Sequence, residues 1–262
     1  MVKVQPKQRA NYEAIAHLYD EPLRDHAVDE NLLRYLAERP HFHLADLRIL
    51  DMGCGTGKQL AANRPHVPGA TMVGLDLFAG MLRQAQKRER AVSWVQGDNT
   101  AVPFPSNSFH YITNQFSYPH VQDKEQFIRE TYRVLKRDGR FVMTNIDPWA
   151  MPGWAIYRYF PAAFVLDKWD FLPAETFTDL MHEAGYRNIQ VNRQHQIKPE
   201  PLSQFLAYAS ERHRTSEFMA IADADYTAGL QAIQSDLAEA SDEPMMVESE
   251  ICLITIRGDK GE

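Results

Sequence analysis

The amino-acid sequence predicts a doubly wound α/β fold, and three observations carry that prediction. Short apolar runs recur through the first 147 residues, each ending in polar or glycine residues, as strands buried on both faces of a parallel sheet do. Helical stretches separate them, giving the alternation from which right-handed strand–helix–strand crossovers are built. A glycine-rich loop joins the first run to a helix start.

Taken in order, residues 8–20 and 29–38 read as helices, the second placing Leu32, Leu33 and Leu36 on one face and stopping at Pro40. Strands follow at 48–53, 71–76, 92–98, 109–116 and 139–147. The helix AGMLRQAQKR follows the second strand. DKEQFIRETYRVLKRDG follows the fourth, with Asp123 as N-cap, Ile128, Tyr132 and Leu135 on one face, and Asp138-Gly139 as the stop. After residue 147 the rhythm breaks into an aromatic and proline-rich stretch, 148–173. A helix with Phe177, Leu180, Met181 and Ala184 at i, i+3, i+4 and i+7 then closes at Gly185. Late strands are expected within 188–198 and 249–258. Between them lie helices with two apolar stripes, Leu202/Phe205/Leu206/Ala209 and Tyr226/Leu230/Ile233/Leu237.

The chain has 262 residues, 44% hydrophobic and 24% charged, which suits a single globular domain able to bury a core without disulfides or structural metal. Its parts would be an N-terminal helical cover (1–44), a core (45–147), the aromatic insertion (148–173) and a helical insertion (199–248) that reads as a lid or a homodimer surface. Cys54 and Cys252 stand far apart and form no CxxC unit, so neither a metal site nor a disulfide framework is suggested. Met219, Met245 and Met246 read as core fillers. No secretory signal and no apolar run of about 20 residues is present, and a cytoplasmic protein is the expectation. Net charge is −7, with 28 basic and 35 acidic side chains. That balance counts against a nucleic-acid partner, and Arg83, Lys87, Arg88 and Arg90 read as one solvated helix face.

Asp51-Met52-Gly53-Cys54-Gly55-Thr56-Gly57 follows a buried strand and precedes a helix, where glycines permit tight turning and close approach to a ligand. Asp76 ends the second strand nineteen residues beyond Gly57, placed to accept from both ribose hydroxyls of a nucleoside cofactor. Asp98 ends the third strand, where a carboxylate could receive an adenine amino group.

The ordered run ILDMGCGTG, MVGLDLFAGML, VQGDNTAVPFPSNSFHYI and FIRETYRVLKRDGRFVMTNID resembles the class I S-adenosylmethionine-dependent methyltransferases. It is most similar to the branch holding ubiquinone/menaquinone-biosynthesis C-methyltransferases and many small-molecule enzymes. The resemblance covers about 45–147 closely and 174–191 more loosely. It implies a Rossmann-like seven-stranded sheet of order 3-2-1-4-5-7-6, and S-adenosyl-L-methionine as cofactor with S-adenosyl-L-homocysteine as product. It also implies roles. Asp51, Gly53, Gly55 and Gly57, with Cys54 as a small loop residue, would shape the methionine pocket. Asp76 would hold the ribose, Leu77 and Met81 would pack on the adenine, and Asp98 with Asn99 would meet its edge. Asn114, Gln115, Phe116 and Ser117 would line the cofactor near its methyl group, and Tyr12 and Tyr19 would cover the site. Two positions depart from the pattern: His110 replaces the usual Asp in "SFD", and Asn99 replaces an Ala.

Methyl transfer from a sulfonium is an in-line displacement, so the protein's main work is alignment and exclusion of water. A base is needed where the acceptor must lose a proton, and His120 is the best candidate, matching the second histidine of an "HH" pair whose first is Pro119 here. His195 and His17 are weaker ones. Tyr118, Trp149, Trp154 and Tyr157 are candidate lining for an acceptor pocket, some of the rings able to steady a cation. The expected function is methyl transfer to a small organic acceptor, at oxygen, nitrogen or carbon. The competing readings are an RNA or protein methyltransferase, a non-catalytic S-adenosylmethionine-binding partner, and an NAD(P) dehydrogenase, whose GxGxxG loop this sequence lacks.

Overall fold

The computed structural model describes residues 12–19, 26–239 and 244–261. The chain divides into two compact units: residues 12–145 with 173–192 and 255–262, and residues 146–172 with 193–254. Seven strands form one sheet of order β3-β2-β1-β4-β5-β7-β6. They are β1 (Arg48–Met52), β2 (Thr71–Asp76), β3 (Ser93–Gln96), β4 (Phe109–Gln115), β5 (Leu135–Ile146), β6 (Tyr186–Pro201) and β7 (Met246–Lys260). The first five run parallel, with Leu50 beside Val73 and Ile112. β7 is antiparallel. Along it Arg140 meets Asp259, Thr144 meets Thr255 and Asp147 meets Cys252, each step up β5 being a step down β7.

In the larger unit the helices are α1 (Tyr12–Ile15), α2 (Glu30–Ala37), α3 (Lys58–Asn63), α4 (Ala79–Arg88), α5 (Lys124–Val134) and, later in the chain, α8 (Ala174–Ala184). The expected helix at 8–20 lies partly outside the described residues, and its described part is the single turn α1. α2 starts at Asp29, whose carboxylate accepts from Asn31 N–H, and it buries Leu32 and Tyr35 while Leu33 faces out. The turn from Leu32 to Tyr35, not to Leu33, falls on the core side. One sheet face packs on Leu32, Tyr35, Leu47, Leu60, Val67 and Val92. On α5 and α8, Phe127 and Phe177 meet Tyr118, and Phe127 also meets Phe141.

Asp123 caps α5 as expected, but the helix ends at Val134, short of the Asp138-Gly139 stop. The carbonyls of Arg133 and Val134 accept from the N–H groups of Asn107 and Ser108, and Lys260 Nζ donates to those of Tyr132 and Leu135. With its last carbonyls satisfied from outside, the helix gains nothing by continuing. α8 ends where the sequence placed it, at Gly185 in the left-handed region (φ 104°).

The smaller unit contains α6 (Ala155–Tyr159), α7 (Pro161–Asp170), α9 (Leu202–Ala209), α10 (Ser216–Ala220) and α11 (Asp223–Glu239). Its core gathers Met151, Ile156, Phe160, Leu202, Phe205 and Phe218, with Leu206, Tyr226, Leu230 and Leu237 packed against them. Both stripes read from the sequence are therefore covered within this unit. Met245 packs there too, whereas Met246 is exposed.

Candidate active site

The β1–α3 loop takes its shape from three left-handed glycines: Gly53 (φ 80°), Gly55 (φ 52°) and Gly57 (φ 76°). They serve different ends. A Cβ on Gly53 would lie 2.0 Å from Ser117 Oγ, so this glycine admits the turn after β4. A Cβ on Gly57 would lie 2.5 Å from the Trp94 indole, so this one admits the ring that also covers Gly74. A Cβ on Gly55 would meet nothing within 4 Å, which leaves that side of the loop open to a ligand.

Two carboxylates frame the loop. Asp76 Oδ2 accepts from Gly55 N–H (2.8 Å) and Oδ1 from Phe78 N–H (2.9 Å), locking the loop to the end of β2. Each oxygen keeps a lone pair for a diol. Asp51 is buried, and among the described residues no cation or hydrogen bond offsets that burial. Desolvation first, then the nearby charges of Asp76 and Asp29, push its carboxyl up to about 8. Cys54 is buried and its thiol is pushed well above the usual range by desolvation, so it serves as a small loop residue and not as a nucleophile. Asp98 Oδ1 accepts from Thr100 N–H and Oγ1–H, both at 2.8 Å. Beside it, Asn99 Oδ1 is buried with no hydrogen-bond partner among the described residues.

At the end of β4, Asn114 is fully buried and its amide is spent on the Met52 carbonyl (2.6 Å) and Ser117 Oγ (2.5 Å). It fastens β4 to the glycine loop and does not line an opening. Phe116 adopts a left-handed backbone (φ 54°) with its ring 45% exposed, while Gln115 is half-buried. That bend aims Ser117 at Gly53. Tyr118, expected in an acceptor pocket, is instead a core residue packed on Phe177 and Phe127, where no solvent reaches the ring. Leu77 is exposed and Met81 buried.

The next residues form a short turn whose carbonyls, Tyr118 and Pro119, are held by Lys124 Nζ (2.8 and 2.9 Å). It presents His120. Tyr12 Oη lies 2.9 Å from His120 Nε2, and the Tyr12 ring packs on those of His120, Tyr19 and Phe78. Tyr12 and Tyr19, expected to cover the site, and His120, expected as base, thus form one cluster. His17 is exposed on the same segment.

Trp149, Trp154 and Tyr157 belong to the smaller unit and are engaged there. Tyr157 is buried and donates to Asp167 Oδ2 (2.7 Å), and Trp154 packs edge-on against it. Trp149 donates to the Phe171 carbonyl, and Lys168 Nζ sits 3.5 Å from its ring centre, so the chain supplies that ring's cation itself. His195, in the same unit, contacts Cys252 and Glu250.

Sequence reasoning missed the polar frame beneath the loop. Tyr111 donates to Asp29 Oδ2 (2.7 Å), Asp29 N–H to Asn63 Oδ1, and Gln59 Nε2 to Asn63 Oδ1 and the Ala27 carbonyl. Asp29 directly before ENLL is a legible N-cap, but its distant partners leave no local pattern. Arg88, read as solvated, donates to the Thr56 carbonyl, and Arg83 pairs with Glu13. His110, the departure from "SFD", accepts from Arg48 N–H, and burial with the nearby Lys136 and Arg48 charges holds it down at about 4.

An S-adenosylmethionine molecule would bring an ammonium, a ribose diol and an adenine edge. The uncompensated Asp51 carboxylate, the spare lone pairs of Asp76, the orphaned Asn99 Oδ1 and the open space at Gly55 fit those groups. Among the described residues, no group of three His, Cys, Asp or Glu side chains is placed to hold a metal, and no helix is long and apolar enough to cross a membrane.

Comparison with known proteins agrees with this geometry. Residues 50–143 match a family model described as a methyltransferase domain. The chain is 30% identical over 190 residues to a ubiquinone/menaquinone biosynthesis C-methyltransferase of Cereibacter sphaeroides, covering 61% of this chain and 74% of that protein. It is 36% identical over 108 residues to a demethylmenaquinone methyltransferase of Thermus thermophilus, covering 40% of this chain and 49% of that one, so there the match spans about half the relative's length. Among solved structures, the YcgJ protein of Bacillus subtilis superposes with a TM-score of 0.58 at 22% identity, covering 89% of this chain and all of that one. A Haemonchus contortus phosphoethanolamine N-methyltransferase, solved with S-adenosylhomocysteine, gives 0.55 at 18% identity, over 88% of this chain and 53% of that one. With the sheet order, the glycine loop and the carboxylates at the ends of β1 and β2 in place, the chain belongs to the class I S-adenosylmethionine-dependent methyltransferases.

Proposed function

We propose that the chain methylates a small organic acceptor whose nucleophilic atom carries a proton, a phenol- or enol-like oxygen or carbon being the favoured class. The observation that carries this reading is the Tyr12–His120 pair at 2.9 Å. A relay of phenol and imidazole has a use where a proton must leave the acceptor, and none where the acceptor is already a free base. The two curated relatives carry names from quinone biosynthesis, and ring chemistry of that kind has such a proton to lose.

In this reading Asp51 holds the cofactor's ammonium, Asp76 its ribose, and Asp98 with Asn99 its adenine. The bound cofactor supplies an activated methyl group on a sulfonium. The bond from the acceptor atom to the methyl carbon forms as the carbon–sulfur bond breaks. Sulfur keeps that electron pair and becomes the neutral thioether of S-adenosylhomocysteine. The acceptor's proton passes to the Tyr12 oxygen as the phenol gives its own to His120 Nε2. Lys124 and the packed Tyr118 hold the turn that aims the imidazole.

The test screens phenolic, enolic and amine acceptors against S-adenosylmethionine, with His120→Ala and Tyr12→Phe beside the parent. Both variants should bind S-adenosylhomocysteine normally, and His120→Ala should lose about 100-fold or more in turnover. Full turnover in His120→Ala removes it as base. Tight cofactor binding with no methylation of any acceptor would favour the non-catalytic reading.

A further inference from the structure

We propose that Glu13 is a positioning residue for methyl transfer, its carboxylate fixing Tyr12 against His120 by capping the helix that follows the ribose-binding strand. The proposal rests on the reading of Tyr12 and His120 given above.

α4 begins without a cap of its own, because Phe78 stands at the N-cap and offers no hydrogen-bonding side chain. Helix starts carry unpaired N–H groups and a positive dipole end. Here the partner comes from far away in sequence. Glu13 Oε2 accepts from Gly80 N–H at 2.6 Å, and Oε1 meets Arg83 Nη2 at 2.5 Å. Gly80 leaves room for it, since a Cβ there would come within 3.0 Å of the carboxylate. The Gly80 N–H and the Arg83 guanidinium both hold this carboxyl below the usual range, so it remains an anion at neutral pH.

Tyr12 precedes Glu13 in the same single turn of helix. Among the described residues, the carboxylate on α4 and the phenol on His120 both hold that turn. The Tyr12 ring also packs on Phe78, the N-cap residue, whose N–H donates to Asp76 Oδ1. One short path therefore links the residue that would hold the ribose to the pair that would take the proton. The described part of α1 is a single turn, which nucleates poorly by itself, so such anchors fix the register of Tyr12.

The test uses the full chain labelled with ¹⁵N-histidine, with and without saturating S-adenosylhomocysteine. It follows the His120 ring nitrogens in the parent, Glu13→Gln, Tyr12→Phe and the double variant. The expected result is that Glu13→Gln moves the His120 signals and titration midpoint toward those of Tyr12→Phe. The double variant should match Tyr12→Phe alone, because the two changes break one linkage. Arg83→Met, which keeps the carboxylate, should give a smaller shift in the same direction, and it serves if Glu13→Gln fails to fold. A Glu13→Gln or Arg83→Met protein whose His120 titrates as in the parent, while Tyr12→Phe shifts it, overturns the proposal. So do effects of Glu13→Gln and Tyr12→Phe that simply add. Failure of the parent to bind S-adenosylhomocysteine would strike the functional reading instead, since the coupling is read in the free protein as well.

Discussion

Asp51 illustrates how a single side chain can be costly to the fold and useful to the site. Burial, with the charges of Asp76 and Asp29, pushes its carboxyl up to about 8 in the folded chain, against about 4 when unfolded. A raised acid binds its proton more tightly in the native state, so its contribution to stability is full below about pH 4 and is lost as pH rises through about 8. Asp51→Asn should therefore melt higher than the parent at pH 8, by about 2–4 °C for each kcal/mol relieved, with the difference vanishing near pH 4. The same variant should bind S-adenosylhomocysteine at least about tenfold more weakly, because the ammonium loses its counter-charge. Melting scans and titration calorimetry check both halves, and a variant that loses stability at pH 8 would contradict the electrostatic account. The glycines separate in the same way. Gly53→Ala faces both a left-handed backbone and Ser117, a loss of about 2–5 kcal/mol. Gly55→Ala meets no neighbour, so it should lose only about 1–2 kcal/mol in stability while cofactor affinity collapses. Equal stability losses in the two would mean that the open space at Gly55 is not real.

At the scale of elements, the site is carried by ends: the carboxyl ends of β1, β2 and β4 and the starts of α3 and α4. Asp29 matters here because it caps α2, takes the Tyr111 hydroxyl and adds to the charge that Asp51 feels. Asp29→Ala should lose about 2–3 kcal/mol, from the cap and from the buried phenol left unpaired. It should also lower the Asp51 titration midpoint, a shift that denaturant melts over a pH series would reveal. Much of this level was legible in the sequence. β2 and α4 fall at the expected residues because TMVGLD is a clean buried run and AGMLRQAQKR has a clean apolar face. Asp51 lies in β1 and Asp76 ends β2 as expected, whereas Asp98 lies two residues past the end of β3, which is shorter than the run suggested. What was not legible depends on side chains meeting across long sequence separations. Nothing in YEAI says that Glu13 will cap a helix beginning at residue 79. Nothing in NQFSYPH says that Asn114 and Tyr118 turn inward while His120 turns out. α5 ended early for the same reason, since Asn107, Ser108 and Lys260 claim its last carbonyls.

At the scale of the whole molecule, the sequence suggested one domain with insertions, whereas the chain packs as two compact units, each with its own core. The aromatic residues of 148–173 mostly build the second of those cores, and composition alone could not separate that role from ligand binding. A ligand that binds only the folded protein should stabilise it, by about 2.7 kcal/mol at a hundredfold excess over its dissociation constant. S-adenosylhomocysteine at that excess should raise the melting temperature by roughly 5–10 °C, and NAD by nothing. The most direct test of the central claim is calorimetric titration of the purified chain with S-adenosylmethionine and S-adenosylhomocysteine, with NAD and the Asp76→Ala variant as controls. Both cofactor forms should bind the parent with micromolar affinity and NAD should not bind, while Asp76→Ala should lose at least about tenfold, because the ribose loses a charged acceptor. Absence of binding to the parent, or undiminished binding to Asp76→Ala, would contradict that claim.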